Sequence, residues 1–189
     1  MPLHIRKEIT KDAIPVEFIR LAFAHLESAE KLNSLMNEGT WSSSFHKGRV
    51  VHWLTFHATE LFLKACILRV NPKSQVNDHS LSRLLKKLKT LRSDIAFHAP
   101  FEVNPIPPYQ GLVAEAKKLE EKIHERLRYP TDTAGKPWSG VHGFDSESFS
   151  NTLQRLRGDF ERIATLLFVD PPANPAYMDS SRDATGTPR

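Results

Sequence analysis

The segment from about Phe45 to Val70 constrains the fold more than any other part of the chain. Val50, Val51, Leu54, Ala58, Leu61, Phe62, Ala65 and Leu68 recur in it at helical spacing and form a broad apolar stripe. A stripe that wide has to be covered from several sides, so this helix belongs in the centre of a bundle. Asn71-Pro72 ends it, because proline disfavours helical geometry in the residue before it.

Four further patterns supply the cover. Pro15 pre-sets φ for a first helical turn, and Phe18, Leu21, Ala22, His25, Leu26, Ala29 and Leu32 follow at spacings of three and four. Glu38-Gly39 is the natural stop. Asp78 or Ser80 can cap a third helix, whose apolar edge is Leu81, Leu84, Leu85, Leu88 and Leu91. Its other edge carries Arg83, Lys86, Lys87, Lys89 and Arg92, which read as a solvated face. Four prolines between Ala99 and Tyr109 make an extended connector. A fourth helix over roughly Gln110 to Leu127 turns Leu112, Val113, Ala116, Leu119, Ile123 and Leu127 inward, and a loop from Arg128 to Phe144 follows. Asp145 can cap a fifth helix, in which Phe149, Leu153, Leu156, Phe160, Ile163 and Leu167 alternate spacings of four and three as a narrow seam.

No strand-period alternation of useful length occurs. The pattern predicts an all-α fold, an antiparallel bundle of four to five helices. The domain spans 15–170, after a lead segment over 1–14 and before a proline-studded tail over 171–189 that reads as disordered. The narrow seam on the fifth helix predicts a homodimer.

Composition narrows the setting. A single cysteine, Cys66, rules out an internal disulfide and reads as a small buried hydrophobe, which suits a reducing, cytoplasmic location. No apolar run approaches the ~20 residues of a membrane span. The net charge of +4 permits an anionic partner without demanding one. Nine histidines invite a metal reading, but His52 and His57 lie five apart, about 140° round a helix, and no cluster has zinc-site spacing. There is no phosphate-binding Gly-Lys-Ser loop and no dinucleotide fingerprint, so no metal and no cofactor are expected.

Two constellations remain. Glu60 and Lys64 stand one turn apart with the acid on the N-terminal side, the favourable order for an ion pair. Their flanks are apolar, which places the charges at the edge of a core helix, where such groups line clefts. Arg126, Arg128 and Tyr129 end the fourth helix before Pro130; guanidinium groups suit phosphate, and cations also suit a helix C-terminus.

Glu60-Leu61-Phe62-Leu63-Lys64-Ala65, then His79-Ser80-Leu81 with Leu84-Leu85, then Arg128-Tyr129-Pro130 together resemble the HEPN family of small helical domains. The resemblance covers most of 15–170. It implies a dimerising antiparallel bundle that binds a nucleotide or RNA phosphate in a cleft, with Glu60, Lys64, Arg126, Arg128 and Tyr129 as the contact residues. It also implies a setting such as toxin–antitoxin or phage-defence systems and a nucleotidyltransferase-type protein partner. Ribonuclease members of the family carry an Arg followed by four to six residues and a His. Here those positions after Arg128 are Thr133, Ala134 and Gly135, and after Arg126 they are Thr131, Asp132 and Thr133. None is His. The expectation is therefore phosphate binding without cleavage of generic single-stranded RNA. Two alternatives stand beside it. One is a metal-independent ribonuclease toxin with His57 or His124 in place of the missing histidine. The other is a non-catalytic interaction module.

Overall fold

The computed structural model describes residues 13–100, 122–138 and 144–168. Four helices are complete in it: α1 (Ile14–Asn37), α2 (Phe45–Val70), α3 (Leu81–Leu91) and, after a helical stretch at 122–128 that we label α4, α5 (Ser146–Leu167). Among the described residues the only β feature is an isolated bridge between Thr131 and Pro137. The molecule is an all-helical bundle, as the spacing of apolar residues predicts. The lead segment to residue 12, the proline connector from 101, the first part of the expected fourth helix and the tail from 169 lie outside the described residues.

The helix ends follow local chemistry. Ser44 Oγ accepts the backbone N–H of Lys47, Ser80 Oγ that of Arg83, and Asp145 that of Ser148. Each cap satisfies a donor that the first helical turn leaves open. Asp78, the other cap candidate, instead accepts the N–H of Ser80 and so braces the cap residue. Gly39 turns the chain out of α1 at φ 72°, where a Cβ would be strained.

Side-chain contacts fix the directions. Phe23 meets Phe62, and His25 meets His57 and Trp53, so α1 and α2 run antiparallel. Phe23 meets Phe160, Glu30 pairs with Arg157, and Asn33 donates to Ser150 Oγ, so α1 and α5 do too. Arg49 donates to the carbonyls of Arg126 and Tyr129 while Phe56 stacks on His124, so α4 runs back along α2.

α2 is the centre: from Thr55 to Ile67 all but one of its residues are buried, the exception being His57. Phe62 and Phe160 stack with centroids 3.8 Å apart, and Phe23 meets both edge-on. Cys66 is fully buried among these helices, which pushes its thiol pKa up. One expectation shifts its footing. Of the α5 seam, Leu153, Leu156, Phe160, Ile163 and Leu167 are buried within this single chain and Phe149 is partly buried. That seam therefore does not by itself call for a second copy; among the described residues the exposed large apolar ones are Leu21, Phe45, Val50, Tyr129 and Leu166. Among the described residues no helix is long and apolar enough to cross a membrane.

Candidate functional site

A carboxylate in the wall of a helical core needs partners, and Glu60 has gathered them from two segments. It is 4% exposed. Lys64 Nζ, one turn on and 6% exposed, donates to Glu60 Oε1 at 2.7 Å. His79, just before the cap of α3, brings its Nδ1 to the same oxygen at 3.0 Å. His57 Nδ1 stands 3.8 Å from Oε2, beyond ordinary hydrogen-bond distance. Burial pushes the Glu60 carboxyl up; the His57 and Lys64 side chains, with the charges of Lys64 and His79, outweigh it and hold the pKa at about 2. The group is ionised at neutral pH and can only accept hydrogen bonds. His79 Nδ1 is therefore the donor, and in the neutral ring the lone pair falls on Nε2. The His79 side chain is 55% exposed, so that lone pair belongs to the rim of the site.

α4 closes the other side. His124 stacks against the His79 ring at 5.7 Å and 20°, and against Phe56 at 6.4 Å. Its Nδ1 is buried and has no hydrogen-bond partner among the described residues. Burial, helped by the charges of Arg128 and His79 against those of Glu125 and Glu60, lowers its pKa and favours the neutral imidazole. Arg128 lies one turn further, at the rim, its Nε donating to the His124 carbonyl at 3.2 Å.

Beside this cluster a groove of about 360 Å³ runs between α2 and the end of α4, lined by His46, Arg49, Val50, Trp53, Leu127 and Arg128. On α2 the residues 46, 49, 53, 57, 60 and 64 follow at spacings of three and four, so groove and carboxylate share one face of the helix.

The candidates named from sequence therefore separate. Glu60, Lys64, His57, His124 and Arg128 lie in or beside one cluster. Lys64 is spent on Glu60 inside the wall. Arg126 places its guanidinium 5.2 Å from the Trp138 ring. Tyr129, 55% exposed, lines a different cavity with Glu125, Pro130, Thr131, Asp132 and Thr133. Four residues of the site are not among the site candidates read from sequence: His79, Trp53, Arg49 and His46. For Trp53 a signal existed, since it sits seven residues before Glu60 on the same helical face. His79 stood inside the Asp78-His79-Ser80 capping segment and read as part of a helix start. Among the described residues no group of three or more His, Cys, Asp or Glu is placed to hold a metal ion.

Comparison with protein-family models, with curated proteins and with solved structures found no match. The HEPN resemblance rests on the residue pattern alone.

Proposed function

We propose that this chain binds the phosphate of a nucleotide or an RNA strand at the junction of α2, α3 and α4. One observation carries the reading: His79, from the start of α3, binds the buried and ionised Glu60–Lys64 pair, and α4 brings His124 against the His79 ring with Arg128 one turn further on. Lys64 neutralises Glu60 inside the wall, so the charge of the exposed Arg128 at the rim is not cancelled by that carboxylate. The exposed Arg128 guanidinium donates to phosphate oxygens, and His79, whose Nδ1–H is given to Glu60, adds a donor at Nε2 when its ring is protonated. Tyr129 and Arg126 take no direct part in this version; they shape the end of α4. The expected binding is salt-sensitive. Titration of a labelled RNA oligonucleotide at low salt tests it. Arg128→Ala and His79→Ala should each weaken binding several-fold, and an unchanged affinity in the double variant would send the argument to another surface.

A second reading is favoured by the Glu60–His79 pair. A carboxylate that orients an imidazole, next to a second imidazole held neutral, is an acid–base arrangement. In metal-free RNA cleavage one imidazole takes the proton of the ribose 2′-OH, whose oxygen attacks phosphorus. The P–O5′ bond breaks, and the other imidazole gives its proton to the departing oxygen. His124 suits the accepting role. Incubation of RNA in a chelator decides between the two readings. An intact strand keeps the binding reading; cleavage lost in both His79→Ala and His124→Ala installs the second. A homodimer, a nucleotidyltransferase-type partner and a cytoplasmic, defence-type setting belong to the same proposal; the partner and the defence setting derive from the family resemblance, the cytoplasmic location from the single cysteine, and the homodimer from both the resemblance and the seam on α5. A monomer by light scattering at tens of micromolar removes the first of these.

A further inference from the structure

We infer that the groove beside the cluster is a subsite for an unpaired nucleobase, with Trp53 as its stacking wall. The inference rests on the phosphate-binding reading and names the ligand more narrowly: a nucleotide unit of a single strand, in place of duplex or bare phosphate.

The groove has two kinds of lining. Val50, Trp53 and Leu127 make an apolar side, and His46, Arg49 and Arg128 make a cationic one. A ligand that fits both has a flat apolar body attached to an anion. Trp53 is built to serve as a wall. His57 lies parallel to the indole, at 6° with centroids 5.7 Å apart, and His25 meets both rings edge-on at 6.3 Å and 4.8 Å. Three rings from two helices therefore brace one another, and the indole loses little freedom when a base stacks on it. Arg49 fixes the opposite wall by donating to the carbonyls of Arg126 and Tyr129 at the end of α4. Its charge stays in the groove while its hydrogen bonds hold the shape. Arg128 belongs to both places: it lines the groove, and its Nε donates to the backbone carbonyl of His124. A phosphate on Arg128 thus leaves its base within reach of Trp53.

Duplex nucleic acid is excluded by the same geometry, because a paired and stacked base has no free face for the indole. The wall reads no base edge, so discrimination among bases should be weak.

Three labelled probes test this by fluorescence anisotropy at low salt: a hexamer of adenylates, the same backbone with abasic sites, and a duplex. The wild-type chain should bind the hexamer about tenfold or more above the abasic strand, the range that one stacked base supplies. Trp53→Ala should bring the two strands together in affinity, and Trp53→Phe, which keeps a ring and the packing, should retain most of the difference. Equal affinity of wild type for base-bearing and abasic strands would overturn the subsite and leave phosphate binding standing. Duplex binding as tight as the hexamer would do the same. Binding of no probe at all would remove both readings.

Discussion

Two buried carboxylates in this bundle hold an exposed histidine in the same way, and they differ in everything else. Glu60 on α2 receives His79 Nδ1 at 3.0 Å, and Asp159 on α5 receives His98 Nδ1 at 3.0 Å. Asp159 is spent on structure. Its Oδ2 also accepts the backbone N–H of His98 at 2.9 Å, and its Oδ1 takes Arg162 at 2.7 Å. Arg162 in turn reaches the carbonyl of Ala96. The whole set ties the segment after α3 to α5. Glu60, by contrast, holds side chains only, from α2 itself and from the start of α3, and a further imidazole and a guanidinium lie just beyond. A carboxylate that satisfies backbone groups is a staple. One that gathers titratable side chains at a rim has the make-up of a site. An ion pair alone does not distinguish them.

The sharpest way to break the contrast is to remove one partner at each place. Lys64→Met leaves Glu60 buried without its closest cation and should cost about 3–5 kcal/mol in denaturant unfolding. Restoring neutrality with Glu60→Gln in the same chain should recover much of that loss. If the double variant is no better than the single one, the pair is not coupled and the picture of a neutralised wall is wrong. Asp159→Asn should cost less, about 1–3 kcal/mol, since the backbone contact survives in part. It should speed amide exchange at His98 and leave RNA affinity unchanged.

A smaller effect separates them by pH. The folded pKa of Glu60, about 2, lies below the unfolded carboxyl value of about 4.3. A depressed folded value means that the stabilisation is complete above the unfolded pKa and is lost as pH falls toward 2. Asp159 is shifted the same way: burial raises it, but Arg162 and the N–H and ring of His98 outweigh that. Both therefore contribute to acid unfolding. Glu60→Gln should flatten the stability profile between about pH 4.5 and 2 more than Asp159→Asn does. Equal flattening, measured by denaturant midpoints across that range, would deny Glu60 its special environment.

The contrast was only half legible in the sequence, for physical reasons. Helical periodicity reports which face of a segment is apolar, and that sufficed for α1, α2, α3 and α5, with the capping residues of α3 and α5 legible beside it. It also put Glu60 and Lys64 one turn apart on a core helix. It cannot report which distant segment lands on a given turn. His79 is nineteen residues from Glu60 and His98 sixty-one from Asp159, and these separations carry no period. Both histidines lie outside helices, where no repeat predicts a direction. The seam on α5 misled in the opposite sense: spacings of four and three mark an interface, and the chain fills it with its own α1 and α2 before any second copy arrives.

The smallest effect on stability should be the most telling about function. His79→Ala and His98→Ala each remove an imidazole that is more than half exposed, 55% and 63%. Neither ring anchors much apolar area, so each change should shift stability by about 0.5 kcal/mol or less, the usual range for surface substitutions. Their consequences for ligands should diverge. His79 stacks on His124, so its loss removes an imidazole from the proposed phosphate cluster and frees the His124 ring. His98 has no such neighbours among the described residues; its backbone N–H, which the substitution keeps, does the structural work on Asp159. RNA affinity should therefore fall several-fold in His79→Ala and stay at the wild-type value in His98→Ala, with both proteins melting close to wild type. Equal losses in the two variants would mean that any surface imidazole contributes to a diffuse basic field. Glu60 would then be a second staple, and the difference between the two carboxylates would be one of partners without one of purpose.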